Sequence, residues 1–240
     1  MTPLERIRIE KAAADCGFER EAVLNEHGQL ELRSATFPEI VWVRVAEPFG
    51  YQLNASLPSL LTTGSEVGEL LIEGIEQLYQ ALQQAAATAR TMPNRVADQF
   101  RAKTLTLPKT TEAERLVVQR VGQDLFRSAL LDYWQGLCCV TGLAVPSLLR
   151  ASHIKPWARC ASDNERLDVF NGLLLAPHLD ALFDGGWISF SDRGGMLVSK
   201  QLSAAARVQL GIAPGWSIQG LKTAHLGYLA HHREHEFRHG

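Results

Sequence analysis

The segment from Ala151 to Gly186 constrains the fold of this chain most, because it contains a short helix with a clear limit at each end. Pro177 suits the first turn of a helix, and Gly185 suits its C-terminal cap. Asp180 and Asp184 are four residues apart, so both side chains project from one face of that helix. Two neighbouring carboxylates repel each other unless a cation lies between them, so the helix predicts a cation site. The alternative is that Asp180 stabilises the N-terminal end of the helix dipole and Asp184 is solvated.

Two further residues of the segment fit the chemistry of phosphodiester cleavage. This reaction needs a base that activates water, a cation at the phosphate and a group that orients the base. His153 ends an apolar strand, and a neutral imidazole can take a proton from water near pH 7. Asn171 precedes Gly172 where a loop meets a strand, and its amide can bond the backbone across that loop. The alternatives are a packed or surface histidine and an ordinary turn asparagine.

The N-terminal part of the chain combines helix and strand patterns. We predict a helix over 4–16 and strands at "QLELRSA", "IVWVRVA" and "YQLNASL". A long helix is predicted over 66–90, with one apolar face formed by Leu71, Ile75, Leu78, Leu82 and Ala85. Together these elements predict a small α+β domain over 1–92.

The segment 93–110 is rich in threonine and has two prolines and several basic residues, namely Arg95, Arg101, Lys103 and Lys109. It predicts a linker, either merely solvated or also in contact with phosphates. Thr111 and Glu114 form a capping-box pattern that opens a helix running to about Tyr133. A short strand at "CCVTG" and a second strand at "SLLRASHI" follow, so we predict a second domain over 111–240.

Composition and charge indicate what kind of protein this is and which part of it could bind a polyanion. No run of 18 uncharged apolar residues predicts a transmembrane helix, and the charged start lacks the apolar region of a secretory signal. The four cysteines form no disulfide framework, so we expect a cytoplasmic location. Cys138, Cys139 and Cys160 lack C-x-x-C spacing, so we expect buried thiols and no structural zinc. Residues 1–100 have eight Lys or Arg against fourteen Asp or Glu, whereas residues 101–240 have sixteen against twelve. Only the second part suits a polyanionic partner.

The ordered set "CCVTGL", "ASHIKPW", "NGLLL" and "LDALFDGGWISF" resembles the HNH endonuclease superfamily. The closest resemblance is to a restriction-endonuclease-like branch with an N-terminal accessory domain, and it covers residues 112–237. It implies a ββα-metal unit, two strands and a helix around one divalent cation, inside a helix-flanked nuclease domain. The whole chain is then α+β, with a small first domain.

The resemblance also implies roles for single residues. His153 takes the position of the general base, and Asn171 that of the residue supporting the active loop. Asp180 stands where the family has a metal-ligating histidine, and Asp184 stands at a second ligand position one turn later. Oxygen ligands suit Mg²⁺ or Mn²⁺ better than zinc. Ser152 replaces the metal-ligating Asp, Glu or His of many relatives; it would bind the metal through water or leave it to the aspartates, phosphate and solvent.

Residues around the segment are candidates for contact with DNA. Lys155, Arg159 and Arg166 are predicted to bind phosphates, which is a largely sequence-independent role. His178 lies roughly 200° around the helix from Asp180. It is therefore predicted to contact DNA or to be a bystander, and not to share the metal.

These features predict a metal-dependent DNA endonuclease that acts in restriction or defence, with a target-recognising N-terminal domain. A non-cleaving DNA-binding protein on the same scaffold, favoured by Ser152, is one alternative, and an RNase or toxin nuclease is another. A single site of this kind cuts one strand, so a double-strand cut needs two copies, as in a homodimer. A fragment beginning near Leu105 is expected to fold alone and to keep non-specific nuclease activity.

Overall fold

The computed structural model describes residues 1–46, 50–61, 69–92, 94–108 and 110–239. The chain forms two compact units, Met1–Arg90 and Thr91–Gly240. Both helices and strands are present, which confirms the predicted α+β class. None of the helices in the described ranges is long and apolar enough to cross a membrane.

The first unit packs two helices, α1 (Pro3–Cys16) and α2 (Gly74–Arg90), with an antiparallel sheet of five strands. The strands follow one another in chain order as β1 (Val23–Leu24), β2 (Leu30–Leu32), β3 (Val41–Ala46), β4 (Gly50–Ala55) and β5 (Glu69–Glu73). Alternate residues of β2 and β3 are buried, as a sheet with one covered face requires. The strands predicted at 29–35, 40–46 and 51–57 and the helix over 4–16 are thereby confirmed.

The long helix predicted over 66–90 is wrong in its first part. Residues 66–68 lie outside the described ranges, 69–73 form strand β5, and the helix begins only at Gly74. Leu71 pairs with Gln52 of β4 and is 69% exposed, so it does not share a buried helix face with Leu78 and Leu82. Gly74 has a φ of +74°, a left-handed conformation that separates the strand from the helix.

The second unit begins with two helices that pack on each other, α3 (Arg95–Thr104) and α4 (Glu112–Tyr133). The predicted capping box of α4 is confirmed, since the side chains of Thr111 and Glu114 each accept a backbone N–H. Helix α3 corrects the linker predicted over 93–110, because Val96 and Phe100 are buried in the core of this unit. Lys109, counted among the basic linker residues, lies outside the described ranges.

The centre of the second unit is formed by β6 (Arg150–His153), α5 (Asp163–Arg166), β7 (Gly172–Leu175) and α6 (Pro177–Asp184). Helix α6 starts at Pro177 and is capped by Gly185, as predicted. The segment "CCVTG" is a turn and not the predicted strand, with Gly142 N–H bonded to Cys138 O at 2.9 Å. The two strands of the ββα unit are therefore β6 and β7.

The remaining elements of the second unit follow α6 in the chain. They are the hairpin of β8 (Ile188–Phe190) and β9 (Met196–Val198), and the helices α7 (Ala204–Gln209) and α8 (Leu226–His235). Strand β8 packs on α6. Helix α8 packs on β8 and buries His232, whose Nε2–H donates to Phe183 O at 3.2 Å. The predicted burial of the thiols of Cys138, Cys139 and Cys160 is confirmed.

Two buried histidines should make the second unit sensitive to acid. Burial lowers the pKa of both His225 and His232 to about 4, whereas an unfolded histidine titrates near 6.5. Between these values the unfolded chain binds more protons than the folded one, so stability is lost as pH falls from about 6.5 to 4. The expected loss is about 3 kcal/mol for each histidine over the full window.

Urea unfolding at pH 7, 6 and 5 measures this slope, and a His232→Gln variant should flatten it. Asp168, Asp180 and Asp184 oppose the histidines, because burial raises their pKa and they favour the folded state as pH falls. An unfolding free energy that stays constant from pH 7 to 5 would contradict the expectation for the histidines.

Candidate active site

Strand β6 presents two adjacent polar residues to different neighbours, since successive side chains of a strand point to opposite faces. Ser152 points towards α6, and its Oγ–H donates to Asp184 Oδ1 at 3.1 Å. His153 points towards α4, where its ring stacks on Phe126 with the centroids 3.8 Å apart. Gly172, opposite His153 in the register, permits this approach, because a Cβ there would lie 2.6 Å from Phe126 Cζ.

The hydrogen bonds of His153 determine which ring nitrogen is basic. Nε2 lies 2.8 Å from Arg166 O, and a carbonyl can only accept, so Nε2 carries the proton. Nδ1 then holds the lone pair and is the atom able to take a proton from water. Burial lowers the pKa of His153, so the ring stays neutral below its usual pH range. Its tautomer and charge state are those of a general base.

Asn171 is fully buried and joins both ends of the loop between β6 and β7. Its Oδ1 accepts from Lys155 N at 2.7 Å, and its Nδ2 lies 3.2 Å from Lys155 O and 3.1 Å from Glu165 O. Nδ2 also lies 3.4 Å from Cys160 Sγ. Since Glu165 directly precedes Arg166, the asparagine holds the backbone that supplies the carbonyl partner of His153.

Replacing Asn171 with alanine is expected to destabilise the second unit by about 2–4 kcal/mol, because buried backbone groups lose their partners. The midpoint and slope of urea unfolding measure the change. Asn164→Ala is the matched control, as Asn164 is exposed and its Oδ1 accepts from exposed Arg101 at 2.8 Å. Equal stability of the two variants would show that Asn171 does not hold the loop.

Helix α6 places two carboxyl groups beside Ser152. Loss of hydration raises the pKa of both Asp180 and Asp184, and the charge of Asp180 raises that of Asp184 further. The Ser152 hydroxyl lowers both by hydrogen bonding, and Arg150 lowers that of Asp180. The net effect is a raised pKa for both carboxyls, as expected for two neighbouring, partly buried carboxylates.

The side chains at helix α6 include a small group of oxygen atoms that could bind a divalent cation. Within the ranges that the structure describes, no group of three or more His, Cys, Asp or Glu residues could hold a metal ion. Asp180, Asp184 and the buried hydroxyl of Ser152 form a smaller set made only of oxygen atoms. Such a set fits Mg²⁺ or Mn²⁺, which keep several water ligands and are completed by substrate phosphate.

A pocket of about 370 Å³ is lined by both His153 and Asp184. Its lining also includes Trp157 and Glu236. Proton acceptor and carboxylate therefore meet in one cavity, although the sequence separates them by a loop, a strand and a helix.

The residues predicted to bind phosphate differ in what they already contact. Lys155 Nζ lies 2.6 Å from Glu165 Oε1, and both side chains are largely buried. The Arg166 guanidinium braces the loop through Asp163 Oδ1 at 3.0 Å, and through backbone carbonyls, including that of Cys160 at 2.8 Å. A DNA contact by Arg166 would require these bonds to break.

Arg159 is the best placed of the three predicted cations, being half exposed, with its Nε 3.2 Å from Glu236 Oε1. His178 is half-buried, and its ring centroid lies 6.3 Å from that of Trp216. Among the described residues, no hydrogen bond joins it to Asp180 or Asp184. Sequence reasoning missed Arg150, which is exposed and whose charge acts on Asp180. Its position two residues before Ser152 on the same strand was the available signal.

Comparison with known proteins gives one result for this region. The family model described as HNH endonuclease matches residues 138–191, which include β6, β7, α6 and every polar residue of the pocket except those on α8 and after it. No curated protein matches the chain.

Proposed function

We propose that this protein is a metal-dependent DNA endonuclease of the HNH superfamily, because residues 138–191 match the HNH endonuclease family model. The observation that carries the proposal is the shared pocket of His153 and Asp184, with the basic nitrogen of His153 determined by Arg166 O. The positive balance of residues 101–240 supports a polyanionic substrate. A role in restriction or defence is the biological setting that we propose for such an activity.

In the proposed reaction, each residue of the site has a separate role. Nδ1 of His153 takes the proton of a water molecule, whose oxygen attacks phosphorus while one P–O ester bond breaks. Asp180 and Asp184, with Ser152, would hold Mg²⁺ or Mn²⁺, which when bound polarises the phosphate and stabilises the leaving oxygen. Asn171 keeps the loop in place, and the exposed Arg150 and Arg159 attract the phosphates on either side.

Incubation of supercoiled plasmid with Mg²⁺, with Mn²⁺ or with EDTA tests the proposal directly. We expect nicked circles with either cation and intact plasmid with EDTA. A structured RNA in parallel reactions decides between a DNase and an RNase. Linear product at limiting enzyme would indicate that two copies cut together, as the proposed homodimer requires.

A non-cleaving DNA-binding protein is the second candidate, and Ser152 favours it. The serine provides a neutral hydroxyl at a position where many relatives have a charged or imidazole ligand, and this hydroxyl is already bonded to Asp184. Plasmid that is retarded in a gel but never nicked, with both cations tested, would establish this candidate instead.

The second unit is expected to cleave DNA by itself. A fragment of residues 91–240 contains all the proposed catalytic residues and also α3, whose Val96 and Phe100 belong to the unit's core. The fragment starting near Leu105 lacks these side chains and is expected to be less stable. Circular dichroism and plasmid nicking compare the two fragments. If residues 91–240 fold but cut nothing, the first unit supplies part of the binding surface and not only selection.

A further inference from the structure

The short segment Glu236–His239, here called the strap, follows α8 and packs on the end of α6. Arg238 Nε donates to Gly185 O at 2.8 Å, and Arg238 N–H donates to Gly186 O at 2.9 Å. The guanidinium carbon of Arg238 lies 4.0 Å from the centre of the Trp187 ring. One arginine thus contacts each of the three residues that follow Asp184.

The backbone of the strap is as close to α6 as the side chain of Arg238. Gly186 has a φ of +69°, and a Cβ on it would lie 2.1 Å from Glu236 O. On the helix side, Gly185 N–H donates to Ala181 O at 3.1 Å. The helix thus closes its own last turn, and an arginine from a distant part of the chain holds the two residues that follow it.

The strap also reaches the segment that orients the base. Glu236 Oε1 lies 3.2 Å from Arg159 Nε, and Glu236 lines the pocket shared by His153 and Asp184. Arg159 belongs to the loop whose later residue, Arg166, bonds His153 through its carbonyl. The strap therefore contacts both sides of the pocket, the end of the carboxylate helix and the loop of the base.

We propose that the strap is a positioning device for the cation site, with Arg238 as its positioning residue; this rests on the proposed function. Asp184 is the last residue of an eight-residue helix, where ends commonly fray, and the charge of Asp180 repels its carboxylate. Holding Gly185 and Gly186 keeps the carboxylate of Asp184 beside that of Asp180, so that both can bind one cation. Arg238 touches neither the cation nor the substrate.

The test compares Arg238→Ala with Arg233→Ala in the full chain. Arg233 is a matched control, because its guanidinium also bonds a backbone carbonyl, Phe190 O at 2.7 Å, and a second partner, Asp192, at 2.6 Å. These contacts join Arg233 to the last residue of β8 and to the turn after it, whereas Arg238 bonds the residues that follow Asp184. The readouts are the Mn²⁺ dissociation constant by calorimetry, the Mg²⁺ concentration for half-maximal plasmid nicking, and the melting temperature.

We expect Arg238→Ala to weaken Mn²⁺ binding about tenfold, which is the lower end of the effect of residues that orient metal ligands. The Mg²⁺ requirement should rise by a similar factor, and the nicking rate at saturating Mg²⁺ should stay close to that of the wild type. Arg233→Ala should leave both metal readouts unchanged. Arg238→Lys should recover part of the affinity, because an ammonium can still donate to Gly185 O.

Equal metal affinities for Arg238→Ala, Arg233→Ala and the wild type would overturn the proposal, as would a lower melting temperature with no change in metal requirement. A wild type that binds Mn²⁺ but never nicks plasmid would refute the nuclease function, and the calorimetric comparison would still decide the role of the strap. A wild type that does not bind Mn²⁺ would overturn both the cation site and the strap's role in it.

Discussion

Replacement of His153 by alanine is expected to lower the rate of plasmid nicking by about 10²–10⁴-fold, the usual contribution of a positioned general base. The imidazole is held for this role by stacking on Phe126 and by donation of its Nε2–H to Arg166 O. Since alanine also leaves a gap beside Phe126, His153→Gln is the sharper variant. Its side-chain amide can still donate to Arg166 O, but it cannot accept a proton at neutral pH.

Single-turnover nicking at saturating Mg²⁺ measures the effect, and a gel-shift assay shows whether DNA binding persists. His235→Ala is the control, because His235 lies in the same unit and its side chain is 41% exposed. Wild-type nicking by His153→Gln would remove His153 from the mechanism.

The pH dependence of nicking is a second test of His153 as the general base. A general base acts in its deprotonated form, and burial lowers the pKa of His153. The rate should therefore rise with pH and reach half its maximum below the pKa of an ordinary histidine, which is near 6.5. A half-maximal rate clearly above pH 6.5 would mean that another group carries the proton or that DNA raises the pKa of His153.

Local patterns predicted those parts of the fold whose signals lie close together in sequence. The limits of α6 follow from Pro177 and Gly185, and the start of α4 follows from Thr111 and Glu114. Strand β5 was missed because Leu71 shares helical spacing with the residues of α2, and pairing with β4 outweighed that pattern. Helix α3 was missed because prolines and threonines around it indicated a linker.

In the candidate site, too, the sequence indicates the residues but not the tertiary contacts that position them. The order of the motifs makes His153, Asn171, Asp180 and Asp184 the candidates, and the matched HNH endonuclease region includes all four. The tautomer of His153 depends on a backbone carbonyl, and the position of Asp184 depends on Arg238, 54 residues later in the chain. Contacts of this kind arise from tertiary packing, and no spacing in the sequence indicates them.

Replacement of Asp180 by asparagine is expected to abolish metal-dependent nicking, a loss of at least about 10³-fold. The cation is worth several kcal/mol in the transition state, and each 1.4 kcal/mol corresponds to a factor of ten. Asp184→Asn should weaken nicking less and be partly rescued by high Mn²⁺, because Asp180 and Ser152 still offer oxygen atoms. Asp192→Asn, which changes an exposed carboxylate paired with Arg233, is the control for loss of a charge.

Without metal, the same two variants should be slightly more stable than the wild type, by about 0.5 kcal/mol, because like charges four residues apart in a helix repel. The pKa of both carboxyls is raised in the folded state, so the wild type loses stability as pH rises through that window. The advantage of the variants should therefore be present at pH 7 and fade as pH falls towards 4, as the carboxyls of the wild type become protonated.

Added Mg²⁺ should reverse the order of stability at pH 7, since a ligand stabilises only the protein that binds it. Melting temperatures with and without Mg²⁺ at the two pH values test all of this without reference to cleavage. If Mg²⁺ raises the melting temperature of Asp180→Asn as much as that of the wild type, the cation binds elsewhere, and the carboxylate pair of α6 is not its site.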